Sequence, residues 1–231
     1  MSRLIIYVAV MLCAFVAPFA NAKNEKEEGK GSGDVVEVTL TNGTVEKGRI
    51  TKYWTALLKK GFNKTFEMKT DDDRDLHLSS DDVKLIYFPL RDSVDKTVRY
   101  VSMPVAVPKL GNKSNIDKLI SGVKAKSDHA LLIWYMNWVD VKYGMKTRRE
   151  LQPTFCIKFD NDTVAYPFYY NMNGGLNMQV MKHHLKQSRP ELMEFIEGYF
   201  KKNKEAKKRI NKDITVMLEV YDEYLKQSAE Q

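Results

Sequence analysis

The chain has 231 residues, 37 of them basic and 30 acidic, for a net charge of +7, and it contains two cysteines. That length suits one large domain or two small ones with real hydrophobic cores. Acidic and basic residues are interleaved throughout rather than gathered on one stretch, which argues against a nucleic-acid binder.

The first 22 residues read as an export signal. Arg3 supplies a short positive start, Leu4 to Phe19 is almost wholly apolar, and Ala20-Asn21-Ala22 has the small-x-small pattern that signal peptidase requires. A membrane span needs about 20 apolar residues. This run is shorter, is broken by Pro18, and is followed at once by the charged run Lys23-Asn24-Glu25-Lys26-Glu27-Glu28. Cleavage near Ala22 therefore places the protein in the periplasm or outside the cell, with no later segment apolar enough to cross a membrane. It also removes Cys13 and leaves Cys156 alone, so an intrachain disulfide is not expected. Cys156 alternates with Phe155, Ile157 and Phe159, the pattern of a buried strand residue.

Residues 23–33 are charged and then glycine-rich, the composition of a flexible linker. A first unit is expected over residues 34–100. Val35 to Thr41 alternates as a strand, Asn42-Gly43 is a strong hairpin signal calling for positive φ at both residues, and Val45 to Tyr53 returns. Phe66 to Thr70 and Leu76 to Leu78 predict a second hairpin around Asp71-Asp72-Asp73-Arg74-Asp75, and Val83 to Phe88 a fifth strand. Five short strands in so small a unit predict a closed, strongly twisted β-barrel, which protects its edges.

A second unit is expected over residues 101–231. Pro104, Pro108, Gly111 and Asn112 mark a linker-like stretch, and Ile116, Leu119, Ile120 and Val123 have helical spacing over Ser114 to Val123. Leu131 to Tyr143 is apolar on both faces at first, as in a strand covered on two sides. Phe155 to Phe159 and Val164 to Tyr170 predict a hairpin. Three helices close the chain: Asn177 to Gln187; one from Ser188, where Ser188 and Glu191 can form a capping box and Pro190 suits the first turn; and one over Ala206 to Gln227 with a long apolar stripe. The fold class is thus α+β: a small N-terminal barrel, then an antiparallel sheet with a C-terminal cluster of about three helices.

Candidate chemistry is sparse. Asp71, Asp73 and Asp75 match the opening of a calcium loop, but Leu76 stands where the loop needs glycine, so an exposed acidic hairpin is the better reading. His183 and His184 are adjacent on a helix and point apart, and no His or Cys pair has metal-ligand spacing. No nucleophile motif is present, and neither a metal nor a cofactor is expected. The strongest candidates for contact with a ligand are Trp134 and Trp138, which share one face of a strand, and Tyr135 on the other, because aromatic side chains on strands form sugar-binding platforms; burial in a core is the competing reading. The basic run Lys201 to Arg209 reads as a solvated helix junction.

Two resemblances add to this. Val36 to Ile50, with its Asn42-Gly43 turn, resembles the first hairpin of Sm-like proteins, but the second motif of that family, which carries RNA contacts, has no counterpart near Leu85 to Pro89. That resemblance implies an SH3- or Sm-like geometry and no RNA binding. The Asn-Gly opening, Ser79-Ser80-Asp81-Asp82-Val83-Lys84-Leu85-Ile86-Tyr87-Phe88, Leu185, Ser188-Arg189-Pro190-Glu191-Leu192 and Val220-Tyr221-Asp222-Glu223-Tyr224 resemble uncharacterised exported proteins of Bacteroidetes-type bacteria. Arg189 departs from that group, where cysteine often precedes the proline. The likeness implies an envelope location and no known activity. Together these features point to a non-catalytic binding or structural module whose partner is another envelope protein or a glycan. A glycan-binding accessory protein and an unrecognised hydrolase are the alternatives.

Overall fold

The structure, a computed structural model, describes residues 34–52, 64–90, 97–109, 114–143, 146–170 and 175–230. The expected leader and linker lie outside the described residues.

The chain is α+β. Among the described residues, ten strands form one antiparallel sheet: β1 (Val35–Leu40), β2 (Val45–Lys52), β3 (Thr65–Thr70), β4 (Asp75–Ser79), β5 (Val83–Tyr87), β6 (Arg99–Pro108), β7 (Ser114–Lys126), β8 (Ala130–Tyr143), β9 (Lys146–Phe159) and β10 (Tyr166–Tyr169). Their order across the sheet is β10-β9-β8-β7-β6-β5-β1-β2-β3-β4. Four helices follow: α1 (Gln179–Ser188), α2 (Pro190–Lys202), α3 (Lys204–Arg209) and α4 (Val216–Ala229).

The five expected N-terminal strands are present, but they do not close into a barrel. Closure would pair β5 with β4; instead β5 takes β1 on one edge and β6 on the other, in the register Leu85↔Val101 and Tyr87↔Arg99. The sheet thus runs on into the second half of the chain. Val36, Val38, Ile50, Phe66, Met68, Ile86 and Phe88 are buried together in a core of this first half. The Asn42-Gly43 turn also differs from expectation. Gly43 has φ 90° while Asn42 stays negative, and Gly43 N–H donates to Leu40 O at 3.0 Å. This is a type I turn followed by a glycine in the left-handed region. Asn42 contributes through its side chain instead, whose Oδ1 accepts from Thr44 N–H at 2.9 Å.

Strands β6 and β7 overturn two expectations, while Gly111 and Asn112 lie outside the described residues. The proline-marked stretch is strand β6, and the expected helix is strand β7. Pro104 fits because a strand residue points its N and its C=O to the same side, and Pro104 O accepts from Ala165 N–H at 2.9 Å, away from β7. The missing N–H therefore costs no β6–β7 ladder bond. In β7, Leu119 and Ile120 are both buried, in different cores, one on each face of the strand. Burial on both faces hides the two-residue alternation and leaves a spacing that imitates a helix.

Ala106 N–H donates to Ala165 O at 3.0 Å, so the chain just before β10 comes back onto β6 through an isolated bridge. The second half of the sheet is curled. Its inner face buries Val105, Leu119, Ile133, Tyr135, Cys156 and Ala165. Its outer face presents Leu132, Ile157 and Phe159 to the helices, which contribute Val180, Met181, Leu185, Leu192, Ile196, Met217 and Tyr221. Cys156 is free and fully buried, and burial pushes its thiol well above the ordinary range.

The helices differ in detail from the sequence reading. α2 starts with Pro190 in its first turn, but Arg189 is its N-cap and no side chain caps it; Ser188 Oγ donates backwards to His184 O at 3.3 Å, so the expected capping box does not form. The expected third helix is two, α3 and α4. Asp213 separates them, its Oδ1 accepting from Thr215 N–H at 2.9 Å and from Thr215 Oγ1 at 2.7 Å. A side chain that hydrogen-bonds the local backbone in this way competes with helix continuation. No helix among the described residues is long and apolar enough to cross a membrane.

Candidate functional site

The residues expected to contact a ligand do not share one surface. Tyr135 lies on the inner face of the curl and is 3% exposed. Burial raises its phenol well above the ordinary range. The side chain of Thr154, its cross-strand partner, works the other way, but makes no hydrogen bond of good geometry to the hydroxyl. Tyr135 is a core residue. Trp134 points to the opposite face and is half-buried over β7 opposite Gly122, with its indole N–H donating to Thr97 Oγ1 at 3.2 Å and its ring 6.3 Å from that of Tyr100. The Trp138 side chain lies outside the described residues, although its backbone pairs with Leu151 in β9.

The acidic hairpin is held by cations of its own. Arg74 reaches Asp72 and Glu46, each at 2.7 Å, and Lys69 reaches Asp73 at 2.9 Å. The Arg74 guanidinium holds the Asp72 carboxyl below its usual range. Among the described residues no group of three His, Cys, Asp or Glu side chains is placed to hold a metal. The basic run carries part of α2 and α3, and its Arg209 pairs with Glu219 of α4 at 2.8 Å.

A cleft of about 740 Å³ opens elsewhere, at one end of the curled sheet, where its inner face continues onto β5 and β1. The strand register builds it in rows. Glu37, Tyr87 and Arg99 are neighbours across β1, β5 and β6; Thr39, Leu85 and Val101 form the next row; Lys126, Leu131 and Lys158 lie side by side across β7, β8 and β9. Leu85, Tyr87, Val101, Met103, Val123 and Leu131 make an apolar floor, and all six are half-buried. The volume falls within the roughly 300–1,000 Å³ typical of small-molecule sites.

Charges ring this floor. Glu37 is paired with Lys47 at 2.8 Å, and Asp160 Oδ2 lies 3.0 Å from His129 Nδ1. Arg99 lies over the Tyr87 ring at 5.7 Å. Lys126 and Lys158 make no ion pair among the described residues. The Ser127–His129 turn forms one lip: Ser127 Oγ accepts from His129 N–H at 3.3 Å and from Ala130 N–H at 3.1 Å, and Asp160 N–H donates to His129 O at 2.9 Å. Neither Trp134 nor Tyr135 lines this cleft.

One further pair has catalytic geometry. Ser114 Oγ and His184 Nε2 are 2.7 Å apart, and burial, then the neighbouring His183, lowers the His184 pKa. A neutral imidazole beside a hydroxyl is the base–nucleophile half of a triad. Among the described residues no carboxylate bonds its other nitrogen. Comparison with protein-family models, with curated proteins and with solved structures finds no match to this chain.

Proposed function

We propose that this is an exported, non-catalytic binding protein of a bacterial envelope, and that its ligand seat is the cleft framed by β1, β5, β6, β7, β8 and β9. The export reading rests on the Arg3 to Ala22 leader. The binding reading rests on one observation: six half-buried apolar side chains form a continuous floor in a folded sheet, ringed by charged groups. Apolar surface left open in this way marks an interaction site. Catalysis is the weaker reading of this cleft. Its one hydroxyl nucleophile beside a histidine, Ser127, is engaged in capping its own turn, and that histidine, His129, is turned to Asp160.

The test is thermal unfolding of the protein as exported, against a panel of amphiphiles, oligosaccharides, nucleotides and divalent metals. A compound that binds only the folded state contributes about 2.7 kcal/mol at one hundred times its dissociation constant, a shift of a few degrees. Thr39→Trp, which fills the cleft from a half-buried strand position, should remove the shift without lowering the ligand-free midpoint. A flat panel, or a shift indifferent to Thr39→Trp, would overturn the reading.

The Ser114–His184 pair supports a second reading, a hydrolase. Turnover of a nitrophenyl ester that vanishes in both Ser114→Ala and His184→Gln would establish it, and equal rates in wild type and variants would remove it.

A further inference from the structure

We infer that the cleft takes a single-chain anionic amphiphile, a fatty-acid-type carboxylate. This rests on the cleft being the binding seat. Two cations stand together at one end of the apolar floor, which fits a ligand with an apolar tail and an ionised end. Leu131 sits between Lys126 and Lys158 in one cross-strand row, so two cations flank an apolar side chain at the β7–β9 end. From there Val123, Met103, Val101, Leu85 and Tyr87 continue the apolar floor across β7, β6 and β5. Five strands spaced about 4.8 Å apart, from β9 to β5, span roughly 19 Å along the sheet, room for an extended alkyl chain.

Charge complementarity selects the head group. Of the three acidic residues around the cleft, Glu37 is paired with Lys47 and Asp160 faces His129. Asp128 stands at the tip of the β7–β8 turn and is exposed. Lys126 and Lys158 make no ion pair among the described residues, although the Lys158 charge reaches the Asp162 carboxyl, and Arg99 adds a third cation over Tyr87. A lysine ammonium beside apolar surface keeps its stem on that surface and offers its donors at the edge. A carboxylate placed between Lys126 and Lys158 would receive charge-assisted hydrogen bonds from both while its tail covers the floor. A neutral sugar would leave the floor in contact with hydroxyls, and an ammonium head would meet like charge.

The probes are dodecanoate below its micellar concentration, acetate, and dodecyltrimethylammonium, titrated calorimetrically into the exported protein, its Lys126→Glu/Lys158→Glu double variant and Thr39→Trp. The expected result is one saturable site for dodecanoate, none for acetate, and none or much weaker binding for the ammonium. The double charge reversal should weaken dodecanoate by at least about tenfold, the scale of losing one charge-assisted hydrogen bond, with an unfolding midpoint close to wild type. Thr39→Trp should weaken it comparably. If dodecanoate binds the double variant as tightly as wild type while Thr39→Trp abolishes binding, the anionic-head assignment falls and the cleft remains the seat. If dodecanoate does not bind but a neutral compound does, in a manner sensitive to Thr39→Trp, the same distinction holds. Dodecanoate binding that Thr39→Trp leaves unchanged overturns both.

Discussion

Gly122 of β7 lies directly opposite Trp134 of β8, and a Cβ at position 122 would stand 2.4 Å from the indole Nε1 and 2.7 Å from Cε2. The indole covers the strand backbone and is anchored by its bond to Thr97, so it cannot swing away without losing that bond. Gly122→Ala is therefore expected to destabilise the fold by about 1–3 kcal/mol, the scale of overpacking, measured by urea unfolding. Shrinking the ring should relieve the clash. In a double-mutant cycle, Gly122→Ala combined with Trp134→Leu should be less destabilised than the sum of the single variants. Strict additivity would mean that the two positions do not meet.

The same pair shows where the sequence was legible and where it was not. β1 through β4 were readable because each has a polar side, so Val36 and Val38, or Phe66 and Met68, alternate with polar residues, and β5 because it is a short apolar run. β7 was not, because Leu119 and Ile120 are both buried and Gly122 answers to Trp134 on another strand. With β7 mistaken for a helix, Val123 and Lys126 were removed from the sheet, and the row Lys126–Leu131–Lys158 could not be assembled. The cleft is a product of register between distant strands, and no local pattern carries register. The failure at the barrel has the same origin. Nothing local to Val83–Tyr87 says that its free edge will meet Arg99–Val101 rather than β4. Strand alternation alone sets Trp134 and Tyr135 on opposite faces of β8, but it does not say which face is covered by the rest of the fold.

Arg189 joins the helices to the sheet. From the junction of α1 and α2, its Nη2 donates to Asp160 O at 2.6 Å and approaches Asp162 Oδ1 at 3.2 Å, across the β9–β10 turn. Burial raises the Asp162 pKa, with the Arg189 charge working against that rise. Arg189→Ala should cost about 2 kcal/mol at neutral pH, by leaving a carbonyl and a part-buried carboxylate without their donor. The sign of its pH dependence follows. A carboxyl whose folded pKa is raised holds its proton more tightly in the folded state, so stability falls as pH rises from the unfolded carboxylate value through the folded one. Losing Arg189 deepens that fall, so the variant's deficit should be larger at pH 7 than at pH 4. Paired urea titrations of wild type and variant at the two pH values check it, and an equal deficit would show that the Asp162 contact carries none of the effect.

Asp82 closes the turn between β4 and β5. Its Oδ2 accepts from Ser79 N–H at 2.8 Å and from Ser79 Oγ at 2.5 Å, which lowers its pKa. Asp82→Ala should destabilise by about 1 kcal/mol, as loss of a side-chain cap does. Asp82→Asn keeps an acceptor and should recover part of that. Because a depressed carboxyl stabilises above its unfolded pKa and stops doing so as pH falls through the folded one, the Asp82→Ala deficit should shrink in acid. Unfolding midpoints recorded from neutral pH down to about pH 3 separate this from Arg189→Ala, whose deficit also shrinks in acid but is larger at neutrality.

His184 is expected to make the fold sensitive to mild acid. Burial is the main cause of its lowered pKa, the charge of His183 the lesser one, and its Nε2 is held by Ser114 at the start of β7 while its ring lies 5.6 Å from Tyr166. A histidine with a depressed folded pKa is protonated more readily in the unfolded chain. Its contribution to stability is complete above the unfolded histidine value, near pH 6.5, and is lost as pH falls through the folded value. The unfolding midpoint of the wild type should therefore drop between pH 7 and pH 5. In His184→Gln, which cannot titrate and can still bond Ser114, the drop should flatten, while the stability at pH 7 stays within about 1 kcal/mol of wild type. Ser114→Ala should lower stability at pH 7 and leave the slope in place, because the slope belongs to the buried ring and not to the hydroxyl. A slope unchanged in His184→Gln would assign the acid sensitivity to another group.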